Sequence, residues 1–251
     1  MNDLFKALRL KHLDTRLPDL LEQARLHSLT YEAFLRRVLT MEIEGRKAEA
    51  QRTRLKAARL PLRKTLEEFD FSFQASLSER QMWELADLSF VKTSTNVVLL
   101  GPPGVGKTHL AIALGVKALE AGYAVLFTTW SHLAEDLAAA PHPAVLRQRL
   151  RRYLCPTVLI IDEVGYAKLT EEQANHLFAL VRDRYERGAT ILTSNTSFSE
   201  WGALLHNDVL ATALLDRLLH HAEVISIHGK SYRMKNRLPA GKTTAAGGAD
   251  Q

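Results

Sequence analysis

Cysteine is nearly absent from this chain: 251 residues hold one, Cys155. A lone thiol cannot close an internal disulfide, and its place beside the apolar run Val158 to Ile161 predicts a small buried hydrophobe rather than a nucleophile. No stretch approaches the roughly 18 consecutive apolar residues that a membrane span needs, and the first residues are polar and charged, unlike a secretory leader. These absences predict a cytoplasmic protein with no membrane partner. No internal repeat is visible. The histidines His109, His206, His220 and His221 lack cysteines or acids at metal-ligand spacing, so no metal is expected beyond one carried by a nucleotide. Hydrophobic residues, at 46%, still allow a substantial core, in one large domain or in a small domain plus a larger one.

Acids are scarce in one region. The net charge is +5 and the pI near 9.3, which favours a polyanionic partner once the charge is clustered. It is: Arg46, Lys47, Arg52, Arg54, Lys56, Arg59, Arg63 and Lys64 face one acid, Glu49. A solvated helix face usually mixes both signs, so a DNA- or RNA-facing surface is the favoured reading, with Arg46, Lys47, Arg52, Arg54, Lys56 and Arg59 as its candidate residues.

What is present in full is a phosphate-binding signature. Asn96 to Thr108 reads Asn-Val-Val-Leu-Leu-Gly-Pro-Pro-Gly-Val-Gly-Lys-Thr, an apolar strand followed by Gly101, four residues, then Gly106, Lys107 and Thr108. Glycines let successive backbone N–H groups turn inward around phosphate oxygens. Lys107 can reach the β- and γ-phosphates, and the Thr108 hydroxyl suits Mg²⁺. The candidate nucleotide-binding set is Gly101, Pro102, Pro103, Gly104, Val105, Gly106, Lys107, Thr108 and His109. The helix-forming run from His109 to Ala121 puts a helix N-terminus against the anion. Gly241-Lys242-Thr243 is a decoy, because Asn236 stands where the first glycine should be; residues 240–251 read as a disordered tail.

The first 64 residues read as a small helical domain. Leucines flank Pro18, Thr30 is a candidate N-cap, and Phe34, Leu35, Val38, Leu39 and Met41 give an apolar stripe that fades into the basic stretch, which Pro61 interrupts. Phe69, Phe71 and Phe73 then anchor a linker on the core, or pack on a nucleotide base. From residue 65 to 239 strand and helix patterns alternate, with strands expected over Val97–Leu100, Ala124–Thr128, Thr157–Ile161, Thr190–Thr193 and Val224–Ile227. This pattern predicts an α/β domain, a five-stranded parallel sheet covered on both faces.

The third strand runs into Asp162-Glu163. An acid at the carboxyl end of a buried strand can hold Mg²⁺, here Asp162, while Glu163 can polarise the attacking water. The fourth strand ends in Ser194-Asn195, and the Asn195 amide can orient that water if the strands are adjacent; a simple turn is the open alternative. Arg217 stands in an otherwise apolar helix, as an arginine finger toward a neighbouring subunit or as half of a structural ion pair.

Taken together, Gly101-Pro-Pro-Gly-Val-Gly-Lys-Thr-His-Leu-Ala, Leu159-Ile-Ile-Asp-Glu-Val-Gly-Tyr, Leu192-Thr-Ser-Asn, Phe198-Ser-Glu-Trp and Leu215-Asp-Arg-Leu-Leu-His-His-Ala resemble the IstB-like ATP-binding proteins. These are AAA+ helper ATPases of bacterial insertion sequences, related to the DnaC helicase loader. The resemblance implies an AAA+ P-loop core hydrolysing ATP with Mg²⁺. It also implies binding to double-stranded DNA with little sequence preference, ATP-dependent homo-oligomers on that DNA, and a cognate transposase as partner. A DnaC-like helicase loader is the rival reading. After Ile227 only about two dozen residues remain, too few for the C-terminal helical lid and the second sensor arginine of larger AAA+ proteins.

Overall fold

Helices open the chain, because its first fifty-odd residues repeat apolar side chains at helical rather than strand spacing. The computed structural model describes residues 2–166, 168–205 and 207–235; the expected tail over 240–251 and His206 lie outside them. The chain divides into two compact units, 1–57 and 58–251.

The first unit holds α1 (Asn2–Ala7), α2 (Lys11–Leu26) and α3 (Tyr31–Ala57). Leu13, Leu20 and Val38 form its small core, with Phe34 and Met41 packed against them. The stripe read from the sequence therefore splits: Phe34, Val38 and Met41 turn inward at helical spacing, whereas Leu35 and Leu39 are exposed. Glu42 is buried and accepts the backbone N–H groups of His12 and Leu13, both at 3.0 Å, at the start of α2, and Arg46 Nε donates to it at 2.8 Å. Burial pushes its carboxyl up, but those donors prevail and hold it below the ordinary glutamate value. Pro18 lies inside α2 rather than ending it. The Thr30 hydroxyl accepts from Ala33 N–H at 3.2 Å, as an N-cap should. Helix α3 stops at Ala57, ahead of Pro61, and Arg59 takes a left-handed φ of 53°.

The second unit continues with α4 (Glu79–Ala86), α5 (Ser89–Lys92), β1 (Asn96–Leu100), α6 (Lys107–Glu120), β2 (Val125–Thr129), α7 (Trp130–Ala138), α8 (Pro143–Leu154), β3 (Val158–Val164), α9 (Glu171–Arg184), β4 (Ala189–Ser194), α10 (Trp201–Leu205), α11 (Asp208–Leu219) and β5 (Ala222–Ser226). All pairings are parallel, in the order β2-β3-β4-β1-β5. Strand β4 thus lies between the two strands that carry the phosphate loop and the acids. Alternate residues serve opposite faces. Val97, Leu99, Ile160 and Ile191 pack with α6, and Val98, Leu159, Ile161 and Leu192 pack with α7, α9 and α11. Covering both faces explains why these strands read as unbroken apolar runs.

Arg184 is buried near the starting ends of β3 and β4. Its guanidinium donates to the carbonyls of Tyr153, Pro156 and Ala189 at 2.8–2.9 Å, and burial pushes its pKa down to about 10. Cys155 corrects an expectation. It is exposed, because it caps the end of α8 outside the β3 core rather than joining that strand.

Candidate active site

The phosphate loop sits between the end of β1 and the start of α6, so the first backbone N–H groups of that helix face the loop. Gly104 and Gly106 hold φ of 84° and 100°, a region in which a Cβ would be strained. Space forbids one as well, since it would strike Ser231 at Gly104 and the Phe69 ring at Gly106. Lys107 Nζ donates to the carbonyls of Gly101 at 2.7 Å and Pro102 at 2.8 Å, which holds the cation over the loop. Burial holds the Lys107 ammonium below the ordinary lysine pKa; Asp162 and Glu163 oppose that shift, and Arg233 adds to it. Val105 is buried, so it can offer a ligand only its backbone. His109 Nε2 lies 2.8 Å from the Thr65 carbonyl and ties the helix to the linker.

Strand order brings the acids to this loop. Thr108 Oγ1 donates to Asp162 at 2.9 Å (Oδ1) and 3.1 Å (Oδ2). Thr193, on the intervening β4, donates its hydroxyl to Asp162 Oδ1 at 2.5 Å and accepts the Glu163 backbone N–H at 2.9 Å. Asp162 is 4% exposed and is thus held by two hydroxyls. The next residue breaks the ladder. The β3–β4 register shifts between Ile161 and Val164, and Glu163 takes a left-handed φ of 60°. Such a bulge re-aims a side chain at the cost of local strain. Here Glu163 is exposed and lines a cleft of about 380 Å³ with Lys107, Thr108, Thr193, Asn195 and Arg233.

A second cavity of about 280 Å³ lies along the other side of the loop, walled by Phe69, Gln74, His109 and Tyr232. Phe69 meets His109 edge-on at 5.2 Å and also packs, with Phe71, on the core, so the linker phenylalanines both anchor and wall the site. One face comes from a returning segment. Tyr232 N–H donates to the Gly104 carbonyl at 2.9 Å, Gln74 Nε2 to the Lys230 carbonyl at 3.0 Å, and Lys235 Nζ to Asp70 at 2.9 Å.

Most of the residues expected at the site are together. Arg217 is not among them. Its Nη1 donates to the Ala213 carbonyl at 2.7 Å and its guanidinium lies 5.1 Å from the Phe178 ring. It lines a narrow cleft with Asn96 and Tyr185, near the starting end of β1 and away from the phosphate loop. Its contacts are a carbonyl and a ring rather than a carboxylate. Two residues at the site were not anticipated: Thr193, which reaches Asp162 once β3 and β4 are paired, and Arg233. No helical lid follows β5 among the described residues, but Arg233, in the segment after that strand, lines the cleft.

The basic candidates fall in the first unit, apart from Arg59 just beyond it. Arg46 is engaged by Glu42 and by the Arg9 carbonyl at 2.8 Å. Lys47, Arg52 and Lys56 are exposed, and Arg54 is half-buried. At about 100° per residue, Arg52 and Lys56 share one side of α3 and Lys47 and Arg54 roughly the opposite one. The charge is spread around the helix rather than gathered on one face.

The family described as IstB-like ATP binding protein matches residues 3–240. The chain belongs to that family. An insertion sequence IS21 ATP-binding protein of Pseudomonas aeruginosa is 48% identical over 241 residues, covering 96% of this chain and 91% of the relative. An IS5376 counterpart from Geobacillus stearothermophilus is 46% identical over 216 residues, 86% of each. Among solved structures, DnaI superposes with a TM-score of 0.54 at 20% identity, over 70% of this chain and 92% of that one. The DnaC helicase loader gives 0.50 at 21% identity, over 59% and 87%. As an IstB-like protein, the chain is an ATP-binding ATPase built on the AAA+ P-loop fold.

Proposed function

We propose that the chain is an ATP-dependent, DNA-binding regulator of transposition, cytoplasmic, which assembles on duplex DNA and directs a cognate transposase to its target. The observation that carries the reading is the bonded set Thr108, Asp162, Thr193 and Glu163 beside the phosphate loop. It belongs to a chain whose near-full-length relatives are ATP-binding proteins of insertion sequences.

In this reading, the backbone N–H groups of Gly104, Val105 and Gly106 and the Lys107 ammonium bind the triphosphate. Thr108 and Asp162 offer only hard oxygen donors, which fits Mg²⁺. When bound, that ion neutralises charge on the β- and γ-phosphates. Glu163 polarises the attacking water, Asn195 orients it, and Arg233 supports the phosphate charge from within the same chain. Arg217, directed away from its own site, serves a neighbouring subunit. The basic residues of α3 meet DNA phosphates, which carry no base information, so binding is nearly sequence-blind.

The test is fluorescence anisotropy on duplexes of unrelated sequence, with and without ATP. Affinity should be similar across sequences, and the ATP-bound protein should run as an oligomer on DNA. Each of the pairs Arg52→Gln/Lys56→Gln and Lys47→Gln/Arg54→Gln should lower the salt slope by at most about 1.8 units, about 0.9 for each lost phosphate contact. An unchanged slope in both pairs overturns the assignment of α3. Co-purification with a co-expressed transposase of an IS21-type insertion sequence tests the partner.

One observation favours the loader reading. Tyr31, Leu35 and Leu39 leave an exposed apolar stripe on α3, at 96%, 57% and 49% exposure, of the kind a protein partner covers. Leu35→Glu with Leu39→Glu should then abolish capture of a replicative helicase and leave DNA affinity unchanged.

A further inference from the structure

The two histidines that close α11 have Asp216 and Glu223 near them in the sequence, but the acid that the fold sets beside both rings is a different one, Glu186. Glu186 follows α9 in the turn that leads to β4, and it, His220 and His221 bring one donor atom each to within 4.8 Å of one another. His221 Nε2 and Glu186 Oε1 are 3.6 Å apart, and the two imidazole rings lie 4.2 Å apart between centroids. Bonds of about 2.0–2.1 Å to a tetrahedral ion imply donors separated by about 3.4 Å, so the His221–Glu186 edge is close to its ligating length. The remaining closure needs only rotation of exposed side chains.

Two further features organise the cluster. The Tyr185 hydroxyl lies 2.7 Å from His220 Nδ1. In the tautomer that places the proton on Nδ1, that contact orients the ring and leaves the Nε2 lone pair free, the outer-shell arrangement typical of metal-binding histidines. Glu186 holds a left-handed φ of 58°, which non-glycine residues seldom adopt. The backbone beneath is anchored, because Asn96 N–H donates to the His221 carbonyl at 2.8 Å.

We propose that Glu186, His220 and His221 bind a divalent transition-metal ion, Zn²⁺ being the best fit, with water at the remaining position. Two imidazoles and one carboxylate suit Zn²⁺, Co²⁺ or Ni²⁺, whereas Mg²⁺ prefers oxygen donors alone. The site is separate from the Thr108–Asp162 pair, near the starting ends of the strands. The ion would join the turn after α9 to the end of α11, the helix that carries Arg217, and so fix that arginine's base. The proposal departs from the expectation drawn from spacing alone, because its third ligand is 34 residues away from His220 in sequence.

The experiment is a Co²⁺ titration of the full chain, free of nucleotide and of any histidine tag, followed by visible absorption. One equivalent should give the intense d–d bands of a four- or five-coordinate site, and Zn²⁺ should abolish them. His220→Ala, His221→Ala and the conservative Glu186→Gln should each weaken binding by more than about tenfold, and Tyr185→Phe by about tenfold. Asp162→Asn, which removes the oxygen-donor site, should leave the bands unchanged. Circular dichroism establishes that each variant is folded. Absence of bands in the wild-type chain, or bands that persist in His220→Ala and Glu186→Gln, overturns the proposal.

Discussion

Replacing Thr193 with valine removes one oxygen and nearly preserves shape, which isolates the hydroxyl between the two acids. That hydroxyl donates to Asp162 at 2.5 Å and accepts from the Glu163 backbone at 2.9 Å. A hydrogen bond to an ionised acceptor contributes about 1.5–3 kcal/mol and a neutral one about 1 kcal/mol. Thr193→Val should therefore destabilise the fold by about 2.5–4 kcal/mol, read as a lower denaturant midpoint with an unchanged m-value. Function should fall further than folding alone explains. Asp162 loses one of its two hydroxyl partners, and the bulge that turns Glu163 loses its anchor. If about 1.4–2.8 kcal/mol of that positioning is expressed in the transition state, kcat drops by about 10- to 100-fold. The KM for ATP should change little, because the phosphate loop is untouched. Thr193→Ser, which keeps the hydroxyl, should recover most of the turnover. Steady-state ATPase assays on folded protein decide the matter. A Thr193→Val enzyme that keeps wild-type kcat, or a serine variant as damaged as the valine one, would refute the reasoning.

Three other outcomes follow from the geometry. Glu163→Gln should keep ATP and Mg²⁺ binding but lose turnover, whereas Lys107→Ala should weaken nucleotide binding itself; calorimetry beside ATPase assays separates the two. Arg217→Ala subunits mixed with Lys107→Ala subunits should regain some activity if the arginine acts across an interface, and an Arg217→Ala assembly as active as wild type removes it from catalysis. Acid should weaken the second unit: a hydrogen bond from Lys117 holds Glu67 down to about 2, and hydrogen bonds from Ser72 and then Lys235 do the same for Asp70. Both values are depressed, so their stabilisation is complete above about pH 4.5 and is lost as pH falls toward 2. Glu67→Gln with Asp70→Asn should flatten the fall in unfolding midpoint across that window, and an unchanged fall would exclude them as its source.

Local pattern made the nucleotide site legible. Gly101 to Thr108 and Asp162-Glu163 carry their chemistry within a few consecutive residues, and the apolar runs before them announce buried strands. The five strands were recognisable for the same reason, with ends displaced by at most three residues. Apart from Asn195, what escaped was set by pairing between distant segments. Thr193 meets Asp162 only through the β3–β4 register, Glu163 is turned by a bulge with no composition signal, and Arg233 returns to the loop from beyond β5. Counting charges between Arg46 and Lys64 revealed a basic segment but not its distribution around α3. Cys155 was misplaced because adjacency to a buried strand does not imply membership of it.

The returning segment also sets the order in which the site is completed during synthesis. Residues 70–76 supply one anchor and residues 228–235 the other, 152 to 165 positions apart. At about 5–20 residues per second, roughly 8 to 30 seconds separate the emergence of the two. Once residues 101–108 have followed, and for the rest of that interval, the phosphate-loop segment is out with one wall missing. A nascent chain can therefore meet cellular ATP with a half-built cleft, and full retention of the nucleotide has to wait until Tyr232 has reached Gly104.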